Sequence, residues 1–159
     1  MIFVTLGSQK FQFNRLLKEL DKLVNEGEIT EEIFAQIGYS DYRPQNYKYK
    51  EFLDREEFCK VMQKSDKVIT HGGTGAIIGA VKSGKKVIAI PRLKQFNEHV
   101  DDHQVEITSQ FKNIGIIESE EDMKYLGELV KKIDYKEFKS YETNTLTIIN
   151  EIEQFIESI

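Results

Sequence analysis

Apolar positions along the chain fall into two alternating patterns. Short runs rich in β-branched and aromatic residues read as buried strands: IFVTL (2–6), EIFAQIG (32–38), NYKYKEF (46–52), KVIT (67–70), KVIAI (86–90) and GIIE (115–118). Between most of them the apolar residues recur at helical spacing. Phe13, Leu16, Leu17, Leu20 and Val24 share one helix face, with Asn14 as the expected N-cap. Phe58 and Met62 pair at i, i+4 in a helix before KVIT, and residues 75–83, 99–112 and 120–132 predict further helices. This alternation predicts an α/β fold, a Rossmann-like parallel sheet of about six strands with helices on both faces. No repeat, low-complexity segment or linker divides residues 1–159, so they read as one domain.

In such sheets ligands lie outside the carboxyl ends of the strands. That rule gathers Gly7 and Ser8, Gly38, residues 71–75 and the stretch from Pro91 onward into one neighbourhood. The final segment, NTLTIINEIEQFIESI, carries Leu146, Ile149, Ile152, Phe155, Ile156 and Ile159 on one stripe, which predicts an amphipathic helix at about 145–158. Such a helix packs on its own sheet or serves a partner protein.

Composition narrows the function classes. A net charge of −5 argues against a sequence-independent grip on nucleic-acid backbone. The single cysteine, Cys59, excludes an internal disulfide and suits a reducing compartment; its helical setting in EEFCKVMQ reads as buried filler. The opening MIFVTLG lacks the basic region and long apolar run of a signal peptide, and no 18 apolar residues stand together. The expectation is a cytoplasmic protein, with any membrane attachment borrowed from a partner.

Two clusters carry chemistry. The first is HGGTG, residues 71–75, which follows a strand and opens a helix. A helix N-terminus offers unpaired N–H groups and the positive end of the dipole. Gly72, Gly73 and Gly75 let backbone approach an anion, Thr74 adds a hydroxyl, and His71 can donate to a phosphate oxygen. Residues 73–79 also fit a loose dinucleotide fingerprint. That NAD(P) reading suffers because the fingerprint does not follow the first strand, and because Arg92 and Lys94 stand where a ribose-binding acid is expected.

The second cluster is PRLKQFNEHVDDHQVEI, residues 91–107, with Glu98, His99, Asp101, Asp102, His103 and Gln104 inside seven positions. His99 and His103 stand at i, i+4, but the zinc pattern H-E-x-x-H is absent, so no metal is expected. Acidic residues here also suit a helix start. Amides, carboxylates and imidazoles together at a strand mouth are what a polyhydroxylated ligand needs. The aromatic run YSDYRPQNYKYKEF (Tyr39, Tyr42, Tyr47, Tyr49, Phe52) reads as strand packing or turn surface, with one ring available to stack on a base.

HGGTG followed about thirty residues later by EHVDDHQ resembles the C-terminal, donor-binding half of GT-B glycosyltransferases of family 28. The opening IFVTLGSQKFQFNRLLKELD and the segment FAQIGYSDYRP are similar to short members of that group. In those members the donor half is a separate polypeptide, as in the small subunits of bacterial capsule and exopolysaccharide transferases and the catalytic subunit of the eukaryotic dolichol-linked GlcNAc transferase.

The resemblance implies that Gly72, Gly73, Thr74 and Gly75 hold a nucleotide diphosphate, with His71 on phosphate as stabiliser of the leaving group. It implies that Asp102, His103 and Gln104 read the donor sugar with Glu98 and His99 alongside, and that Gly7 and Ser8 face the cleft. It implies inverting transfer of a hexose from a UDP-sugar without cofactor or metal, the general base lying on an acceptor half. That half would be a membrane-anchored partner subunit holding a lipid-linked sugar acceptor, with residues 146–159 as the docking surface. A second implied role is non-catalytic, that of an enhancer of a transferase that binds donor by itself.

Overall fold

The computed structural model describes residues 1–141. Strands β1 (Ile2–Thr5), β2 (Ile33–Gln36), β3 (Lys48–Lys50), β4 (Lys67–His71), β5 (Lys86–Ile90) and β6 (Glu118–Ser119) form one six-stranded sheet in the order β3-β2-β1-β4-β5-β6. Every pairing is parallel, with Thr5 opposite both Gln36 and Thr70, and His71 opposite Ile90. This is the expected Rossmann-like α/β sheet, and the order reverses beside β1, where open sheets of this kind bind ligands.

Alternation along β1 shows why both faces are covered. Ile2 and Val4 join a cluster with Leu16, Leu17 and Leu20 of helix α1 (Asn14–Asn25) and Leu126 and Val130 of α5 (Leu126–Lys132). Phe3 points the other way, to Met62 of α2 (Arg55–Lys64) and Ile77 and Ala80 of α3 (Thr74–Lys82). Ile107 and Phe111 of α4 (His103–Ile114) pack on that second layer. At the amino ends of the strands, buried Lys67 is pinned by Glu31 and, at 2.6 Å, by Asp134. The opposite end is left to the loops.

Several expectations shift. Asn14 is the first residue of α1, not its cap: Phe13 holds the cap position without a side-chain bond, and the Gln12 Oε1 accepts from the Asn14 backbone N–H at 2.8 Å. The Asn14 amide is drawn away to Asp41 and to the Tyr42 N–H, securing the loop after β2. The helix expected over 99–112 begins at His103, because the chain first makes a 3-10 turn (Lys94–Phe96) and reverses at Asn97 with φ 54. The last strand is Glu118–Ser119, later and shorter than 115–118. Cys59 is exposed rather than buried, since Phe58 and Met62 take the inward face of α2. The amphipathic stripe at 146–159 lies outside the described residues.

Candidate functional site

At the carboxyl ends of β1 and β4 the backbone is packed around one imidazole. Gly7, just after β1, has φ 72, and a Cβ there would stand 2.7 Å from the His71 Cε1. A Cβ on Gly73 would lie 2.4 Å from the His71 Nε2. Both positions admit glycine alone while the ring stays where it is. His71 closes β4, is only 7% exposed, and directs its ring between the two loops.

Burial and the positive charge of nearby Arg92 push the His71 imidazole down to about 4; a hydrogen bond to the Thr5 backbone works against that and His99 adds to it. At neutral pH it is an uncharged ring, able to donate one N–H but not to supply a positive charge.

The next residue locks the phosphate-type loop to the second cluster. The Gln104 Oε1 accepts from the Gly72 N–H at 3.0 Å and from the Arg92 N–H at 3.1 Å. A Cβ on Gly72 would meet the Gln104 Cβ at 2.6 Å, so glycine is what lets α4 come this close. Arg92 in turn donates from Nη2 to the Leu6 carbonyl at 2.8 Å and to the Phe11 carbonyl at 3.3 Å. Leu6, His71, Gly72, Gln104 and Arg92 thereby form a ring of contacts joining the ends of β1, β4 and β5. Thr74 and Gly75 are exposed in the first turn of α3, where no side chain caps the helix and its N–H groups face outward.

The remaining residues fall into two groups. Ser8 is exposed just beyond Gly7. Asp102 occupies the cap position of α4 and its Oδ1 accepts from the Lys94 N–H at 2.8 Å, while His103 is exposed beside Glu106. His99 lies against the Phe11 ring at 4.8 Å, and its Nδ1 faces the Asp101 Oδ1 at 3.0 Å.

Glu98 is turned into the protein. It is 0% exposed, both oxygens are taken by Arg15 at 3.0 Å, and Oε2 also accepts from the Leu93 N–H at 3.0 Å. It braces the loop from below and has no face for a sugar. The expected i, i+4 relation of His99 and His103 on one helix fails as well, because His99 precedes α4. Among the described residues no three of His, Cys, Asp or Glu gather as a metal site.

The aromatic run also divides. Tyr42, Tyr47 and Tyr49 pack on the core, whereas Tyr39 and Phe52 are 48% and 43% exposed and meet edge to face at 5.1 Å beyond β2 and β3. A groove of about 340 Å³ between α2 and α3 reaches the loop at Gly75 but runs away toward Lys85, and Glu98, His99, Asp102 and His103 do not line it. Arg15 had no pattern in the sequence to mark it, and the sunken Arg92 none to mark its burial; their roles rest on contacts with residues far along the chain, Arg15 with Glu98 and Arg92 with Leu6 and Phe11.

Residues 1–159 match the glycosyltransferase family 28 C-terminal domain. The chain belongs to that family. Solved structures of similar fold include the glycotransferase of kitacinnamycin, with 18% identity and TM-score 0.63 over 85% of this chain and 35% of that one. MurG of Acinetobacter baumannii aligns with 19% identity and TM-score 0.59, over 84% and 40% of the two chains. The glycosyltransferase SnogD of Streptomyces nogalater aligns with 22% identity and TM-score 0.56, over 83% and 34%. The family 28 chain thus spans roughly a third to two fifths of the length of these glycosyltransferases. No curated protein matches it. Among the described residues no helix is long and apolar enough to cross a membrane.

Proposed function

We propose that the chain is the UDP-sugar-binding half of an inverting glycosyltransferase, and that a separate acceptor-binding subunit completes the enzyme. The observation that carries this reading is the first turn of α3, presented uncapped at the carboxyl end of the sheet beside His71 and locked to the 91–107 loop through Gln104. A diphosphate placed there meets outward N–H groups, the helix dipole and a neutral imidazole donor. The exposed pair Tyr39 and Phe52, at the same end of the sheet, supplies an aromatic platform for the base. His99, Asp102, His103 and the Gln104 Nε2 amide lie on the side where the sugar hydroxyls would be read.

In the proposed reaction the acceptor hydroxyl oxygen bonds to the anomeric carbon as the bond from that carbon to phosphate breaks. The electron pair leaves with UDP, where the α3 N-terminus stabilises it, and the hydroxyl proton passes to a base on the acceptor half. The acceptor is lipid-linked in this reading, and the partner carries the membrane anchor, which keeps this chain at the cytoplasmic face.

Thermal unfolding with UDP, UDP-glucose, UDP-galactose, UDP-glucuronate and UDP-GlcNAc tests the donor site, with NAD and NADP alongside. UDP and one UDP-sugar at a hundred times Kd should add about 2.7 kcal/mol. For a domain of this size that is a rise in Tm of roughly 5–10 °C. Stabilisation by NAD instead, or none by UDP either alone or with a co-expressed acceptor subunit, sinks the reading.

A further inference from the structure

The chain spends a costly group beneath the cleft. Arg92 is 0% exposed and among the largest fully buried side chains, yet its Nε and Nη1 have no hydrogen-bond partner among the described residues. Unpaired buried N–H groups of a charged side chain are strongly unfavourable, more so than an apolar residue of similar size at the same place. The neighbouring carboxylate does not neutralise it. Glu98, also fully buried, is bound bidentately by Arg15 at 3.0 Å, so two guanidinium groups share one carboxylate. One net positive charge is left in the interior.

Its position is set on three sides. The backbone of Arg92 is held by Gln104, the same amide oxygen that holds Gly72. The guanidinium Nη2 reaches the Leu6 and Phe11 carbonyls, flanking Gly7 and the loop after β1. Its Cζ lies 5.5 Å from the Phe13 ring, as does that of Arg15, which fixes the plane from the helix side. The charge is felt at the ring of His71, which burial and Arg92 together keep unprotonated near neutral pH. The groups that face that ring are Arg92, His99, the Thr5 backbone and the Thr70 hydroxyl, whose Oγ1 lies 3.4 Å from the His71 Nδ1.

We propose that Arg92 is a positioning residue that acts as a fixed, buried positive charge under the donor loop, making the site select diphosphate-bearing ligands by charge without touching them. This rests on the donor-site reading above. A buried charge in low dielectric acts on an anion several ångströms away with little screening, whereas the same charge on the surface would be lost to salt. It also explains the division of labour: His71 stays neutral and donates, and the positive potential comes from a residue that cannot lose its proton in the working pH range.

The test compares UDP, UMP and uridine by calorimetry on the full chain and on Arg92→Lys and Arg92→Met. Arg92→Met should weaken UDP by tenfold or more and UMP by less, with uridine unchanged; Arg92→Lys, which keeps the charge, should retain most of the preference. Parallel loss for UDP and uridine would assign Arg92 a merely structural role, and unchanged UDP binding in Arg92→Met would remove it from the site. A wild-type chain that binds UDP no better than uridine overturns the donor-site reading itself. The His71 titration by NMR needs no ligand: its midpoint should rise in Arg92→Met and hold in Arg92→Lys. Identical midpoints in all three proteins would show that the charge does not reach the cleft.

Discussion

Removing the titration of His71 should change how the stability of the whole domain depends on pH. The unfolded chain takes up a proton on a histidine near pH 6.5, whereas the folded chain resists protonation of His71 until about pH 4. Between those values the unfolded state binds more protons, so stability falls as pH drops through the window and is fully present only above it. At about 1.4 kcal/mol per pH unit the whole effect amounts to roughly 3 kcal/mol, and about 2 kcal/mol of it is lost between pH 7.5 and pH 5. His71→Gln has no such proton to gain. Urea unfolding at a series of pH values, wild type against His71→Gln, isolates the term, because carboxylates such as Asp21 titrate in both proteins and cancel in the difference. For Asp21 burial works upward, but bonds from Tyr42, Gln45 and Asn46 hold it below the ordinary range, outside this window. With a urea m-value near 2 kcal/mol/M, the gap between the two midpoints should change by about 1 M across the series. Parallel curves, or a wild type that gains stability on acidification relative to the variant, would refute the account of a buried neutral imidazole.

Other outcomes follow from single contacts. Gly73→Ala places a Cβ 2.4 Å from the His71 Nε2, so the ring must move; we expect a loss of about 1–3 kcal/mol in thermal unfolding together with loss of UDP binding, and a variant with native Tm and native affinity would show that the packing is not as tight as described. Glu98→Ala strands Arg15 and removes the carboxylate that the Arg15 and Arg92 guanidinium groups share, at a cost of about 3–5 kcal/mol, whereas a sugar-binding role alone would leave the Tm of the free protein unchanged. Cys59 should react with a thiol reagent in the native state without prior unfolding, and protection until unfolding would put it back in the core.

The sheet and the tight turn at residues 71–75 were legible because both rest on local signals. Apolar runs separated by helical spacing located five of the six strands and the last to within a few residues, and two glycines between β4 and α3, Gly72 and Gly73, marked a turn where backbone must pass close to a ring and to another helix. Cys59 was misread as buried filler although the signal was present: once Phe58 and Met62 take the inward face, the residue after Phe58 turns about 100° away. The second cluster resisted because carboxylates, amides and imidazoles are the same groups whether they serve a ligand or the fold. EHVDDHQ supports a helix equally well from His99 or from His103, and what decides is the left-handed Asn97, which no periodicity announces. Glu98 looks like a ligand until Arg15, 83 positions earlier, is found holding both of its oxygens. Arg92, noted in the sequence only as standing where a ribose-binding acid is expected, proves to be fully buried. Local pattern therefore finds the turn, while the buried charge beneath it depends on partners brought in from the end of β1, from α1 and from α4. A substitution scan of EHVDDHQ alone would miss the residues that position this loop, Arg15 through Glu98 and Arg92 through Leu6 and Phe11.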